Sequence, residues 1–132
     1  MKISLLSISV LDQDKALAFY SDRLGFQKKH DIDMAGGARW LTLVSPDDPE
    51  GPELLLEPNA GYPAMKALKE SLVADGIPFT ALEVEDVMAE VSRLEERGVV
   101  FTGPAVDAGS AIFAVFDDTC GNLIQIFQTV EK

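Results

Sequence analysis

The feature that most narrows what this chain can fold into is an internal repeat. The stretch "ISLLSISV" is followed by an Asp-led segment "KALAFYSDRLGF", by "FQKKHDIDMAGGARWLTLVS", and by a turn feeding a short run from Glu53 to Glu57. The same order returns in "FTALEVEDVMAEVSRLEERGVVF" and "AIFAVFDDTCGNLIQIF". Val10 and Asp12 recur as Val84 and Asp86, 74 positions on, and Asp47-Asp48 and Gly51 recur as Asp117-Asp118 and Gly121, 70 positions on. Caps, stops and element order repeating together at near-constant offsets mark a duplicated unit.

Local patterning says what the unit is. In "ISLLSISV" Leu6, Ile8 and Val10 alternate with Leu5, Ser7 and Ser9, the period of a strand with two different faces. Asp12 is an N-cap for a helix carrying Ala16, Phe19, Tyr20 and Leu24 at helical spacing, and Gly25 is its stop. Two strands joined through a loop around Gly36-Gly37 and a third over Glu53 to Glu57 complete a βαβββ order. In the second copy Asp86 caps a helix bearing Val87, Val91 and Leu94. A proline-bounded helical segment, Ala64 to Ala74, connects the copies. The expected organisation is one domain over residues 1–132, with module 1 at 3–58, a connector at 59–77 and module 2 at 78–129.

Composition bounds the setting. At 132 residues and 47% hydrophobic content the chain can fill one core. No apolar run reaches the roughly 18 residues of a membrane span, and "MKISLLSISVLDQDK" turns polar without a small-residue cleavage site, so a soluble, cytoplasmic protein is expected. The single cysteine, Cys120, excludes an internal disulfide framework. Twenty-two acids against eleven bases, net −11, speak against nucleic acid and anionic membranes as partners. The same charge favours cationic partners, or simply keeps the surface soluble.

A βαβββ unit curves its sheet around one covering helix and leaves the other face open. Two units side by side would give an α+β fold with a half-closed, curved mixed sheet around a cleft, where a small-molecule ligand is expected. Alternation assigns Leu5, Ser7 and Ser9, Glu53, Leu55 and Glu57, Phe79, Ala81 and Glu83, and Leu123, Gln125 and Phe127 to the open side. Gln125 is then either a hydrogen-bonding group for a ligand or an amide satisfied by backbone and water. Glu57 and Glu83 are either cation-binding groups at the cleft mouth or solvated strand ends. Trp40, Phe113 and Phe127 are either a wall for a planar ligand or ordinary core. His30 is expected at the far end of the second strand, before the loop, and Cys120 is a turn residue without an adjacent histidine in sequence. Asp12 and Asp86 are helix caps rather than catalytic acids.

The double repeat, the opening "VLDQDKALAFYSDRLGF" and the closing "VFDDTCGNLIQIFQ" resemble the vicinal oxygen chelate superfamily of glyoxalase I, extradiol dioxygenases and the fosfomycin- and bleomycin-resistance proteins, over about residues 3 to 129. The resemblance implies the fold above and a small-molecule site, and it implies homodimers. Metal-dependent members place His, Gln or Glu ligands on the first and last strands of both modules. By the landmarks those places are held by Leu5, Leu55, Phe79 and Gln125, so no metal or other cofactor is expected. Two functions follow. One is a binding protein that sequesters a hydrophobic or cationic compound against Leu5, Ser7, Trp40, Leu55, Glu57, Phe79, Glu83, Phe113, Gln125 and Phe127. The other is a glyoxalase-type lyase or dioxygenase-type oxidoreductase using a shifted metal site.

Overall fold

The computed structural model describes residues 1–130. The chain divides into two compact units, residues 1–68 and residues 69–132, the division falling inside the helix of the expected connector.

In the first unit, β1 (Leu5–Ser9) leads to α1 (Gln13–Ala18), followed by β2 (Gln27–Asp33), β3 (Arg39–Val44) and β4 (Glu53–Glu57). The sheet order is β1-β4-β3-β2, with β1 parallel to β4 and the other pairs antiparallel. Asp12 caps α1 by accepting from the Lys15 amide at 3.0 Å, which satisfies one of the amides a helix start leaves unpaired. The helix runs on into a π-helical turn, Phe19–Arg23, and ends at Gly25, whose φ of +90° suits glycine alone at little cost. Ile8, Val10, Leu41, Leu43 and Leu56 are fully buried on one face of this sheet, together with Ala16 and Tyr20 from the helical segment. Leu6 shares their register position through Leu54 but lies at the strand's start, beyond the helix, and remains 56% exposed.

α2 (Pro63–Ala74) links the two units in sequence. In the second unit β5 (Thr80–Glu83) and α3 (Val87–Glu96) are followed by short β6 (Val100–Phe101) and β7 (Val106–Asp107), then by β8 (Ala111–Asp117) and β9 (Leu123–Thr129). The order is β5-β9-β8-β6, with β7 also paired to β8, and β5 and β9 are parallel. Asp86 caps α3 through the Ala89 amide at 3.1 Å. Val87 and Leu94 of α3 are buried, as are Ala114, Phe116, Ile124 and Ile126 of the sheet. The chain is thus α+β with open, mixed sheets, and no helix among the described residues is long and apolar enough to cross a membrane.

Candidate functional site

Strand register decides which side chains each sheet turns away from its helix. In the first unit Ser7, Leu55 and Thr42 are consecutive cross-strand partners, and Thr42 in turn pairs with His30. Alternation adds Leu5, Ser9, Trp40, Val44, Glu53 and Glu57 to the same face. Leu55 is buried, with 5% of its surface exposed, while Trp40 and Glu57 are half-buried and Ser7 is exposed. In the second unit Ala81 pairs with Gln125 and Gln125 with Val115, and Glu83 pairs with Phe127 and Phe127 with Phe113. Phe79 joins this face two residues before Ala81, its amide donating to the Leu123 carbonyl at 2.8 Å. Gln125, Phe113, Val115, Phe127 and Phe79 are half-buried, against near-complete burial of Ile124, Ile126 and Phe116 on the helix side. Every side chain expected to bind a ligand therefore lies on the helix-free face of its own sheet.

Three glutamines differ in what they do. Gln13 is buried and ties α1 to two strands: its amide nitrogen donates to the Arg39 carbonyl at 2.7 Å and the Leu56 carbonyl at 2.9 Å, and its oxygen accepts from the Arg39 amide. Gln128 accepts from the Val87 amide at 2.7 Å, supplying α3 with a second N-terminal partner. Gln125 is different. Among the described residues nothing hydrogen-bonds its carboxamide, which stands between Ala81 and Val115 on the half-buried face. A half-buried amide without a protein partner is open to water or to a guest that donates to it or accepts from it.

His30 is not at the far end of its strand. It sits mid-way along β2, opposite Thr42, after a bulge between Lys28 and His30. The bulge inserts one unpaired residue, and Lys29 and His30 both reach Glu53: Lys29 Nζ is 3.9 Å from Oε2 and His30 Nε2 is 3.7 Å from Oε1. The Thr42 hydroxyl donates to Glu53 Oε1 at 2.7 Å and accepts from the His30 amide at 3.2 Å. Sequence alternation puts Glu53 on the open face, but this cluster was not legible, because a bulge leaves no mark in a run as charged as "QKKHDID".

Two further polar centres serve the scaffold. The buried Asp118 carboxylate accepts from the Cys120 amide at 2.7 Å, the Asn122 amide at 3.0 Å and Asn122 Nδ2 at 2.8 Å, which fixes the turn before β9 and aligns Gln125 behind it. Lys69 of α2, 6% exposed, donates to the Cys120 carbonyl at 3.0 Å. Burial pushes its ammonium below its usual range, while Asp118, and then Cys120, pull it the other way. A groove of about 660 Å³ lies over residues 11–14, 36–39 and Pro58 of the first unit. Its polar walls are already engaged: Arg39 binds Asp31 through two nitrogens at 3.0 Å each and Asp14 through a third. Those bonds raise the guanidinium above its usual range, and Arg39's hydrogen bonds hold the Asp31 carboxyl below its own. None of the expected ligand-binding residues lines this groove.

The profile of the Glyoxalase/Bleomycin resistance protein/Dioxygenase superfamily matches residues 2–126. The chain belongs to this superfamily. It is 54% identical to protein YurT of Bacillus subtilis (strain 168), over 97% of this chain and 99% of that one. Among solved structures it is similar to UcmS2, with a TM-score of 0.80 and 33% identity over 96% of this chain and 97% of the other. It is also similar to TnmS3, an antibiotic binding protein from Streptomyces sp. CB03234, with a TM-score of 0.75 and 30% identity over 98% and 97%. At the four places where the resemblance expects the ligands of a divalent metal, the residues present do not make a site for one. Leu5, Leu55 and Phe79 offer no donor atom, and Gln125 offers one neutral amide, where such ions need several N, O or S ligands. Among the described residues no three His, Cys, Asp or Glu side chains converge elsewhere.

Proposed function

We propose that this superfamily member is a small-molecule-binding protein that holds a hydrophobic or cationic compound without transforming it. The observation that carries the reading is the unengaged Gln125 carboxamide amid Phe113, Val115 and Phe127 on a half-buried, helix-free face. The first unit has a helix-free face of its own, carrying Leu5, Ser7, Trp40, Leu55 and Glu57, and Phe79 and Glu83 extend that of the second. The likeness to an antibiotic-binding structure at 30% identity supports a sequestering role, and hydrocarbon at three of the four ligand positions disfavours the metal-dependent chemistries. On this reading the protein works in the cytoplasm as a symmetric homodimer, and sedimentation at the mass of a single chain would overturn that part. The test of binding is a thermal-shift panel of aromatic and cationic compounds, with recovery of each hit. A compound at a hundred times its Kd adds about 2.7 kcal/mol of stability. The expected result is a hit recovered chemically unchanged, with a smaller shift in Gln125→Leu. Catalytic conversion of the hit, or a panel without any shift, overturns the reading.

A further inference from the structure

We propose that Glu53, set by Thr42 and flanked by Lys29 and His30, is the recognition point for the hydroxyl group of an aromatic small molecule. This rests on the small-molecule reading above and names the chemistry that one part of that face selects.

Glu53 has more acceptor capacity than the protein uses. A carboxylate has about four acceptor positions. Only one contact here has hydrogen-bond length, the 2.7 Å bond from the Thr42 hydroxyl, while Lys29 and His30 stand at 3.9 and 3.7 Å. The side chain is 22% exposed, so much of its hydration is gone and the remaining lone pairs favour a donor. Thr42 is not free to turn away, because it is fully buried and held at both ends, donating to Glu53 and accepting from His30. The carboxylate is therefore pre-oriented, which spares a ligand the cost of ordering it.

The flanking groups decide what kind of donor fits. An ammonium group only donates, and beside Glu53 it would meet the like charge of Lys29. A carboxylate only accepts, and it would meet the charge of Glu53. A hydroxyl does both, giving its proton to Glu53 while its oxygen accepts from Lys29 Nζ or a ring nitrogen of His30. Trp40 lies two residues from Thr42 on the same face of β3 and is half-buried, so a planar ring carrying that hydroxyl has a stacking partner. The bulge in β2 turns two consecutive side chains toward one carboxylate, a use to which bulges beside binding sites are put.

The test compares 2-naphthol with 2-methoxynaphthalene, which keeps the ring and the oxygen but has no proton to donate. Titration calorimetry on the wild-type protein should give 2-naphthol a Kd about tenfold lower, the weight of a hydrogen bond to a charged group. Glu53→Leu should bring the two Kd values together by weakening 2-naphthol alone. Glu53→Gln keeps the shape, the Thr42 contact and an acceptor oxygen, so it should fold and retain a reduced preference. The chain has one histidine, so its imidazole proton resonance is a direct reporter, expected to move with 2-naphthol and not with the methyl ether. Equal affinities in wild type, or a preference that survives intact in both variants, overturns the subsite and leaves the small-molecule reading standing. Failure of wild type to bind either naphthalene overturns the aromatic hydroxyl ligand, and the broader reading is then decided by its own thermal-shift panel.

Discussion

Lys69 sits in the middle of α2, where a lysine is ordinarily solvated, yet its side chain is buried and its ammonium donates to the carbonyl of Cys120 in the turn before β9. Desolvation outweighs the attraction of Asp118 and lowers the group below its ordinary 10.5. The unfolded chain therefore binds this proton more tightly than the folded one, and stability contributed by the residue rises with pH. The cost of holding the charge is present in full below the lowered value and disappears as pH climbs to 10.5. Wild type should accordingly gain in melting temperature over Lys69→Met as pH approaches 10.5, the remaining titrating groups being common to both. A difference that stays flat over that range would mean that the amine is solvated. The reason for the burial is local: Gly121, with φ of +84°, leaves room beside it, and a Cβ there would stand 3.3 Å from the Lys69 side chain.

At the level of elements, alternation carries most of the architecture and its limits are physical. Leu55 lies on the helix-free face of β4, between Ser7 and Thr42, and is nevertheless 5% exposed. Leu55→Asp would bury a charge without a partner. The variant should lose about 3 kcal/mol or more at neutral pH and recover part of it in acid as the new carboxyl protonates. An unchanged melting temperature would mean that Leu55 faces water. What the sequence made legible was whatever short-range chemistry controls: the Asp12 and Asp86 caps, the Gly25 stop, the helix that begins at Pro63, and the two faces of β1, β4, β5 and β9. What it hid were contacts between residues far apart in the chain. Gln13 reaches across 26 and 43 positions to β3 and β4, and Gln128 reaches back 41 to cap α3. The position of His30 was misread because β2 does not stop there but runs on through Asp33, its last residues pairing with Arg39, Trp40 and Leu41. Of the candidate site, the faces were readable and the Glu53 cluster was not.

For the whole molecule, charge and donor chemistry together bear on which superfamily function survives. A net charge of −11 raises the local concentration of any cation, so electrostatics alone does not bar metal binding by this chain. The obstacle is ligand supply. A divalent ion leaves its water shell only for several strong donors, and Leu5, Leu55 and Phe79 supply none, while the neutral Gln125 oxygen supplies one. Diffuse attraction by surface acids is screened over about 10 Å at 0.1 M salt and confers no stoichiometry. Protein purified without chelator should therefore carry far less than one equivalent of Ni, Zn, Mn, Fe or Co by elemental analysis. Adding these ions at moderate salt should leave its melting temperature nearly unchanged. A stoichiometric metal lost in Gln125→Ala would show that Gln125 ligates after all. A stoichiometric metal lost instead in Glu53→Gln or His30→Gln would move the site to the β2 bulge. Either result would put a glyoxalase- or dioxygenase-type enzyme ahead of the binding protein.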